Sequence, residues 1–135
     1  MNGSKAINRV AVIGAGIAGL ACARELQSHG ISVDVFEKSR GPSGRMSTRR
    51  AQDWSADHGA QYFTARDPRF IEEVQSWLQA GTAAVWKPKL KVYEAKTWRD
   101  SHSQDIRYVG TPHMNSTGKH LAEGLSIQYE RTISQ

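Results

Sequence analysis

The chain has one cysteine, Cys22, in 135 residues. A lone thiol excludes an internal disulfide framework and a multi-cysteine metal site. His113 and His120 have no spacing partner that suggests a metal, so no metal ligand is assigned. Long apolar runs are also missing. The nearest, residues 10–23, follows Lys5 and Arg9 and ends in Ala21-Cys22-Ala23, which superficially has the form of a secretory leader. Glycines at 14, 16 and 19 break it at spacings a hydrophobic helix does not need, and it is too short to span a bilayer. Gly19, three residues before Cys22, does not fit a lipid-attachment pattern. The expectation is a cytoplasmic chain with no membrane partner. Hydrophobic residues make up 39% and charged residues 23%. This fits a soluble, somewhat polar globular chain rather than a fibre, a disordered tail or a membrane protein. The length suits one modest domain with a single core.

Acidic residues are absent from one stretch in particular. Lys and Arg number 18 against 13 Asp and Glu, an excess of +5. Residues 38–50 hold Lys38, Arg40, Arg45, Arg49 and Arg50 and no acid, so this stretch contains the whole imbalance. A diffusely basic protein suggests nucleic acid or a membrane surface. One short basic loop suggests a specific small anion. No stacking platform or second basic stripe supports a nucleic-acid partner.

What is present begins with residues 9–13, a short continuous apolar run ending in glycine. That is how a parallel strand buried on both faces reads. Gly14-Ala15-Gly16-Ile17-Ala18-Gly19 follows, then a helix to about His29, with Ala21, Ala23 and Leu26 at packing positions and Gly30 as its stop. Residues 31–36 form a second strand, closed by Glu37, 23 residues after Gly14. A glycine-rich turn between strand and helix, followed at that distance by an acid, points to a dinucleotide. Gly14 allows the tight turn, Gly16 lets backbone approach a pyrophosphate, and Gly19 lets the helix pack close to the strand. The helix N-terminus offers unpaired N–H groups and partial positive charge. Glu37 can accept hydrogen bonds from both hydroxyls of an adenosine ribose and would repel a 2′-phosphate, which disfavours NADP.

A plain NAD domain would continue from the acid into another helix. Here Gly41, Pro42 and Gly44 forbid one. The cationic loop that results could present a guanidinium to pyrophosphate oxygens. For Arg49 and Arg50 a solvated loop is as good an account as a ligand. With residues 40–49 and Asp57-His58-Gly59-Ala60-Gln61-Tyr62-Phe63-Thr64, the chain resembles the FAD-binding half of the flavin amine oxidase superfamily, and within it the renalase-like bacterial branch, from about residue 9 onward. The resemblance implies that Gly14, Ala15, Gly16, Ala18 and Gly19 cradle the FAD pyrophosphate. It implies that Glu37 takes the adenosine ribose, with Lys38 beside it, and that Gly44, Arg45 and Met46 form a second glycine-arginine motif near pyrophosphate and flavin. Gly59, Ala60, Gln61 and Tyr62 would run beside the isoalloxazine. The family commonly has two glycines before the arginine; Ser43 replaces the first and can serve if its φ is negative.

Asp57 and His58 are adjacent on an expected strand and point to opposite faces, so they cannot act on one substrate atom; His58 reads as a partly exposed polar residue. Asp67 and Pro68 open a helix with a Phe70, Val74, Trp77, Leu78 stripe, stopped by Gly81. Short strands are expected at Val85-Trp86, residues 90–93, Trp98-Arg99 and Tyr108-Val109, and three of the four tryptophans are expected to pack. A helix over residues 117–123, with Gly124 as its cap, leads to a last strand over residues 127–133.

The fold expected is therefore α/β: a Rossmann-like FAD-binding βαβ unit with a parallel sheet, residues 1–66 and 112–135, plus the start of a mixed α+β substrate (cap) domain, residues 67–111. By resemblance, family members run to roughly twice this length, so the chain reads as truncated, with the missing C-terminal half as a candidate partner and weak or no FAD binding expected of the chain on its own. The function implied is the FAD-binding portion of a flavin-dependent oxidoreductase. Its substrate would be a small molecule of amine or reduced nicotinamide type, oxidised by hydride transfer to FAD with reoxidation by O₂. No residue is assigned as a catalyst. The alternatives are a non-catalytic adenine-dinucleotide-binding module or an NAD-linked dehydrogenase fragment.

Overall fold

In the computed structural model, residues 7–101 and 103–134 are described. Lys5 of the leader-like pattern, and residues 1–6 and 135 of the expected nucleotide domain, lie outside them. The apolar run forms β1 (Arg9–Ile13), the glycine turn leads into α1 (Ile17–Ser28), and the chain returns as β2 (Ser32–Phe36). Gly30 has φ +77, which ends α1 in the left-handed region and turns the chain toward β2. β1 and β2 pair in parallel, Val10 opposite Val33 and Val12 opposite Val35. The next elements are β3 (Thr48–Arg50), β4 (Ser55–Asp57), α2 (Pro68–Gln79), β5 (Ala83–Trp86), β6 (Lys91–Glu94), β7 (Thr97–Asp100), β8 (Arg107–Gly110), α3 (Ser116–Ala122) and β9 (Ser126–Gln128). β9 joins β2 in parallel, giving the order β1-β2-β9. The pairs β3-β4, β5-β8 and β6-β7 are antiparallel ribbons.

Register places Val10, Val12, Val33, Val35 and Ile127 on one face of the parallel sheet. That face carries the core: Val33 and Val35 are buried with Leu20 and Ala23 of α1 and Leu121 of α3. The core continues to Val74 and Trp77 of α2 and Tyr108 of β8. Phe63 joins these parts. It exchanges two backbone hydrogen bonds of 2.9 Å with Tyr108, and its ring stacks on Tyr108 at 5.6 Å and meets Trp77 edge-on at 5.8 Å. Asp67 caps α2, its carboxylate accepting the Arg69 N–H at 2.9 Å.

Three expectations need correction. β1 is not buried on both faces; its burial alternates and Ile13 is 69% exposed, because among the described residues α1 and α3 cover only one face of the sheet. Of the tryptophans, only Trp77 is buried; Trp54, Trp86 and Trp98 are exposed. Trp86 and Trp98 stand on two-stranded ribbons, and Trp54 on a loop, where no further layer covers them among the described residues. The last strand begins at Ser126 and ends at Gln128, because Glu130 turns into the left-handed region at φ +57. Beyond it the backbone still crosses the end of β2, Glu130 and Arg131 donating to the carbonyls of Ser39 and Glu37.

Candidate dinucleotide-binding site

The site is built at the carboxyl ends of β1 and β2. Gly14 N–H donates to the Phe36 carbonyl at 2.7 Å, tying the turn to the end of β2. Gly16 is the N-cap of α1, no side chain caps the helix, and no acid stands in its first turn. The leading amides of a twelve-residue helix therefore have no side-chain acceptor and carry the positive end of its dipole. A Cβ at Gly16 would meet nothing within 4 Å, whereas one at Gly19 would collide with the Gly14 carbonyl oxygen. Gly19 sets how closely α1 packs on the turn, and Gly16 leaves backbone open to an approaching group.

Glu37 is only 6% exposed. Its Oε2 accepts the Ala15 N–H at 2.7 Å, and its Oε1 accepts the Ser39 N–H at 2.7 Å and the Ser39 hydroxyl at 2.5 Å. A carboxylate has about four acceptor positions, so the carboxylate that holds the turn keeps room for a further donor. Burial pushes its pKa up, but hydrogen bonds from the Ser39 side chain, the Ser39 amide and the Ala15 amide, with the charge of Lys38, outweigh this and hold it below the ordinary value.

The second glycine motif packs directly on the first. Ser43 N–H donates to the Ala15 carbonyl at 2.8 Å, and Gly16 and Ser43 form a parallel bridge. A Cβ on Gly44 would lie 3.2 Å from the Gly16 Cα. Ser43 has φ +99, not the negative φ expected of a serine standing where glycine is common. The strain is held by burial to 1% exposure and by the hydroxyl, which donates to the Asn115 carbonyl at 3.1 Å. Gly118, in the first turn of α3, leaves the room that Ser43 fills. Sequence reasoning missed Asn115 and Gly118 as supports of the site. The one signal was a glycine inside a short helix, which costs stability unless something approaches closely.

A cleft of about 1520 Å³ opens on this arrangement. Gly14, Gly16 and Ala18 line it from the turn, Glu37 and Lys38 from the end of β2, and Gly44, Arg45 and Met46 from the second motif; α2 closes its far side with Asp67, Arg69 and Glu73. Ala15 and Gly19 belong to the turn without lining the cleft. Gly59, Ala60, Gln61 and Tyr62 do not line it either. They run behind Arg45, where Ala60 N–H donates to the Arg45 carbonyl at 2.8 Å and Tyr62 packs on Trp86 at 5.7 Å. Asp57 is committed to structure, accepting from the Thr48 hydroxyl at 2.6 Å and the Met114 N–H at 3.1 Å; it and the exposed His58 make no joint site. Among the described residues no helix is long and apolar enough to cross a membrane.

The strand-turn-helix-strand unit, its parallel sheet and the glycine-capped helix define a Rossmann-like dinucleotide-binding fold. A family model described as an NAD(P)-binding Rossmann-like domain matches residues 12–77, just under half of the chain. The chain is 46% identical over 61 residues to the Drosophila melanogaster protein named possible lysine-specific histone demethylase 1, covering 45% of this chain and 7% of that one. It is 41% identical over 59 residues to the zeta-carotene-forming phytoene desaturase of Myxococcus xanthus, covering 44% of this chain and 11% of the desaturase. A solved structure from Photorhabdus luminescens, described as an FAD-containing monooxygenase, superposes with a TM-score of 0.57 at 19% identity, over 94% of this chain and 31% of that one. The chain thus spans about a tenth of the curated relatives it matches.

Proposed function

We propose that this chain is the FAD-binding portion of a flavin-dependent oxidoreductase of the amine oxidase type, in a renalase-like branch. One observation carries the reading: the Gly14–Gly19 turn and the Gly44-Arg45 motif pack on each other at Gly16 and share one cleft with the buried Glu37. The likeness to relatives named as a desaturase and an FAD-containing monooxygenase supports it, as do the loop at residues 40–49 and the segment at 57–64.

The residues fit FAD. The open position at Gly16 admits a pyrophosphate to the uncapped amides of α1. Arg45 would complete the phosphate site with a planar, permanently charged fork. The remaining acceptor position of Glu37 would take a ribose hydroxyl, while its negative charge disfavours a 2′-phosphate. The flavin supplies the redox chemistry when bound, accepting hydride from a reduced nitrogen-containing substrate and passing its electrons to O₂. The chain's own residues bind and orient; none is assigned a proton-transfer role. Ala60, held to the Arg45 carbonyl, keeps residues 59–62 next to the second motif, where the family reading places the flavin ring.

Titrating the chain with FAD, FMN and NAD tests this. FAD should bind more tightly than FMN, which lacks the adenosine half, and more tightly than NAD. Arg45→Ala should weaken FAD by about tenfold, the scale of one charge-assisted contact. Equal affinity for FAD in the wild type and in Arg45→Ala would remove the assignment. Tighter binding of NAD than of FAD would favour a nicotinamide-linked fragment.

A further inference from the structure

The cationic loop sends its charges to two places. Lys38 and Arg45 line the dinucleotide cleft, whereas Arg40, Arg49 and Arg50 line a second cavity of about 810 Å³ that shares no lining residue with the first. The loop is the wall between them. Three other parts of the chain complete the second cavity: Trp54 and His58 from around β4, Asn115 and Lys119 from α3 and the turn before it, and Tyr129 just after β9.

Three features point to a ligand. Among the described residues, Arg40, Arg49, Arg50 and Lys119 form no ion pair, unlike Arg9 with Asp34 or Lys91 with Asp100; and no acid lines the cavity. Lys119 has its pKa lowered, first by loss of solvent and then by the charge of Arg50, so these cations repel across the cavity. Asn115 is 8% exposed, and its side-chain oxygen is buried without a hydrogen-bond partner. A buried acceptor left open is uncommon in a folded chain. The volume lies within the range of small-molecule sites.

We propose that this second cavity binds a small phosphorylated ligand with an aromatic ring, of the mononucleotide class. Arg40, Arg49, Arg50 and Lys119 take the phosphate, and Trp54 and Tyr129 flank the ring. The two cavities share no lining residue, and the loop of residues 38–50 supplies walls to both. A nucleic-acid strand is the weaker reading, since the cations gather in one cavity rather than along a track.

AMP serves as the probe, with Trp54 fluorescence as the local reporter. In the full chain AMP should change the emission saturably, and Trp54→Phe should abolish that change. Arg50→Glu/Lys119→Glu should weaken AMP at least tenfold by this signal, with Arg50→Gln as a milder variant should charge reversal disturb folding. Arg45→Ala, on the other side of the loop, should leave the AMP affinity at Trp54 within twofold of wild type. Unchanged affinity in Arg50→Gln and in the double variant overturns the proposal. So does equal binding of adenosine, which lacks the phosphate, or an Arg50-dependent signal from an RNA oligonucleotide with none from AMP.

Discussion

Glu37 shows what one side chain can do at two levels. Its carboxylate joins the glycine turn through Ala15 to the start of the cationic loop through Ser39, and so fixes the cleft before any ligand arrives. Replacing it by Gln keeps the shape but turns an amide toward donors that need an acceptor; the cost of such a buried mismatch is about 1–3 kcal/mol. The pH dependence follows from the lowered pKa of Glu37. A carboxyl whose pKa falls on folding contributes stability above its unfolded pKa and loses it as pH drops through the folded value. Urea melts of wild type and Glu37→Gln should therefore differ fully at pH 7, and the gap should close as pH falls below about 4.3, the ordinary glutamate value. A gap independent of pH would mean that the carboxylate charge is not what holds the turn. Ser43 carries the opposite lesson. Its identity as serine was plain in the sequence, but its positive φ was not, because that depends on Asn115 and Gly118 some seventy residues later.

At the scale of elements, local punctuation made the chain legible. Gly14, Gly30, Asp67-Pro68, Gly81 and Gly124 mark where strands and helices stop and start, and α1, α2, β1 and β2 lie close to where these residues place them. Burial was less legible. A run such as residues 10–13 reports its own hydrophobicity but not how many layers cover it, so Ile13 and two of the three tryptophans expected to pack were assigned to interiors that the described residues do not build. The pairing of the two glycine motifs was equally hidden, since the contact of Gly16 with Gly44 is a tertiary one. The same contrast separates two glycines of the α1 turn. Gly19→Ala drives a Cβ into the Gly14 carbonyl and must lift α1 from β1, at about 1–3 kcal/mol for an overpacked contact. Gly16→Ala meets open space at φ −75, which alanine adopts freely. Thermal melts should show a clear loss for Gly19→Ala and little change for Gly16→Ala, while FAD titration should show weakened binding for both. A Gly16→Ala chain that bound FAD as well as wild type would show that no phosphate approaches that backbone.

For the whole molecule, the +5 excess resolves into an arrangement of charge. Elsewhere some cations lie against acids, Arg9 with Asp34, Arg66 with Asp105, Arg99 with Glu94, each pair worth little to stability in water. The loop of residues 38–50 has no such partners among the described residues, and it lies between two cavities that each collect part of its charge. Raising ionic strength should therefore remove little attraction and relieve repulsion around the loop, so sodium chloride should leave the melting temperature level or raise it slightly. A multivalent anion should do more at the same ionic strength, because it binds the folded loop rather than merely screening it. Binding to the native state alone adds about 2.7 kcal/mol when the ligand stands at a hundred times its Kd. Melting curves in sodium pyrophosphate should thus rise above those in sodium chloride of equal ionic strength. Arg45→Ala and Arg50→Gln should each remove part of the rise, and their combination most of it. If chloride and pyrophosphate give the same curve, the loop is a solvated basic segment and neither cavity is organised for phosphate.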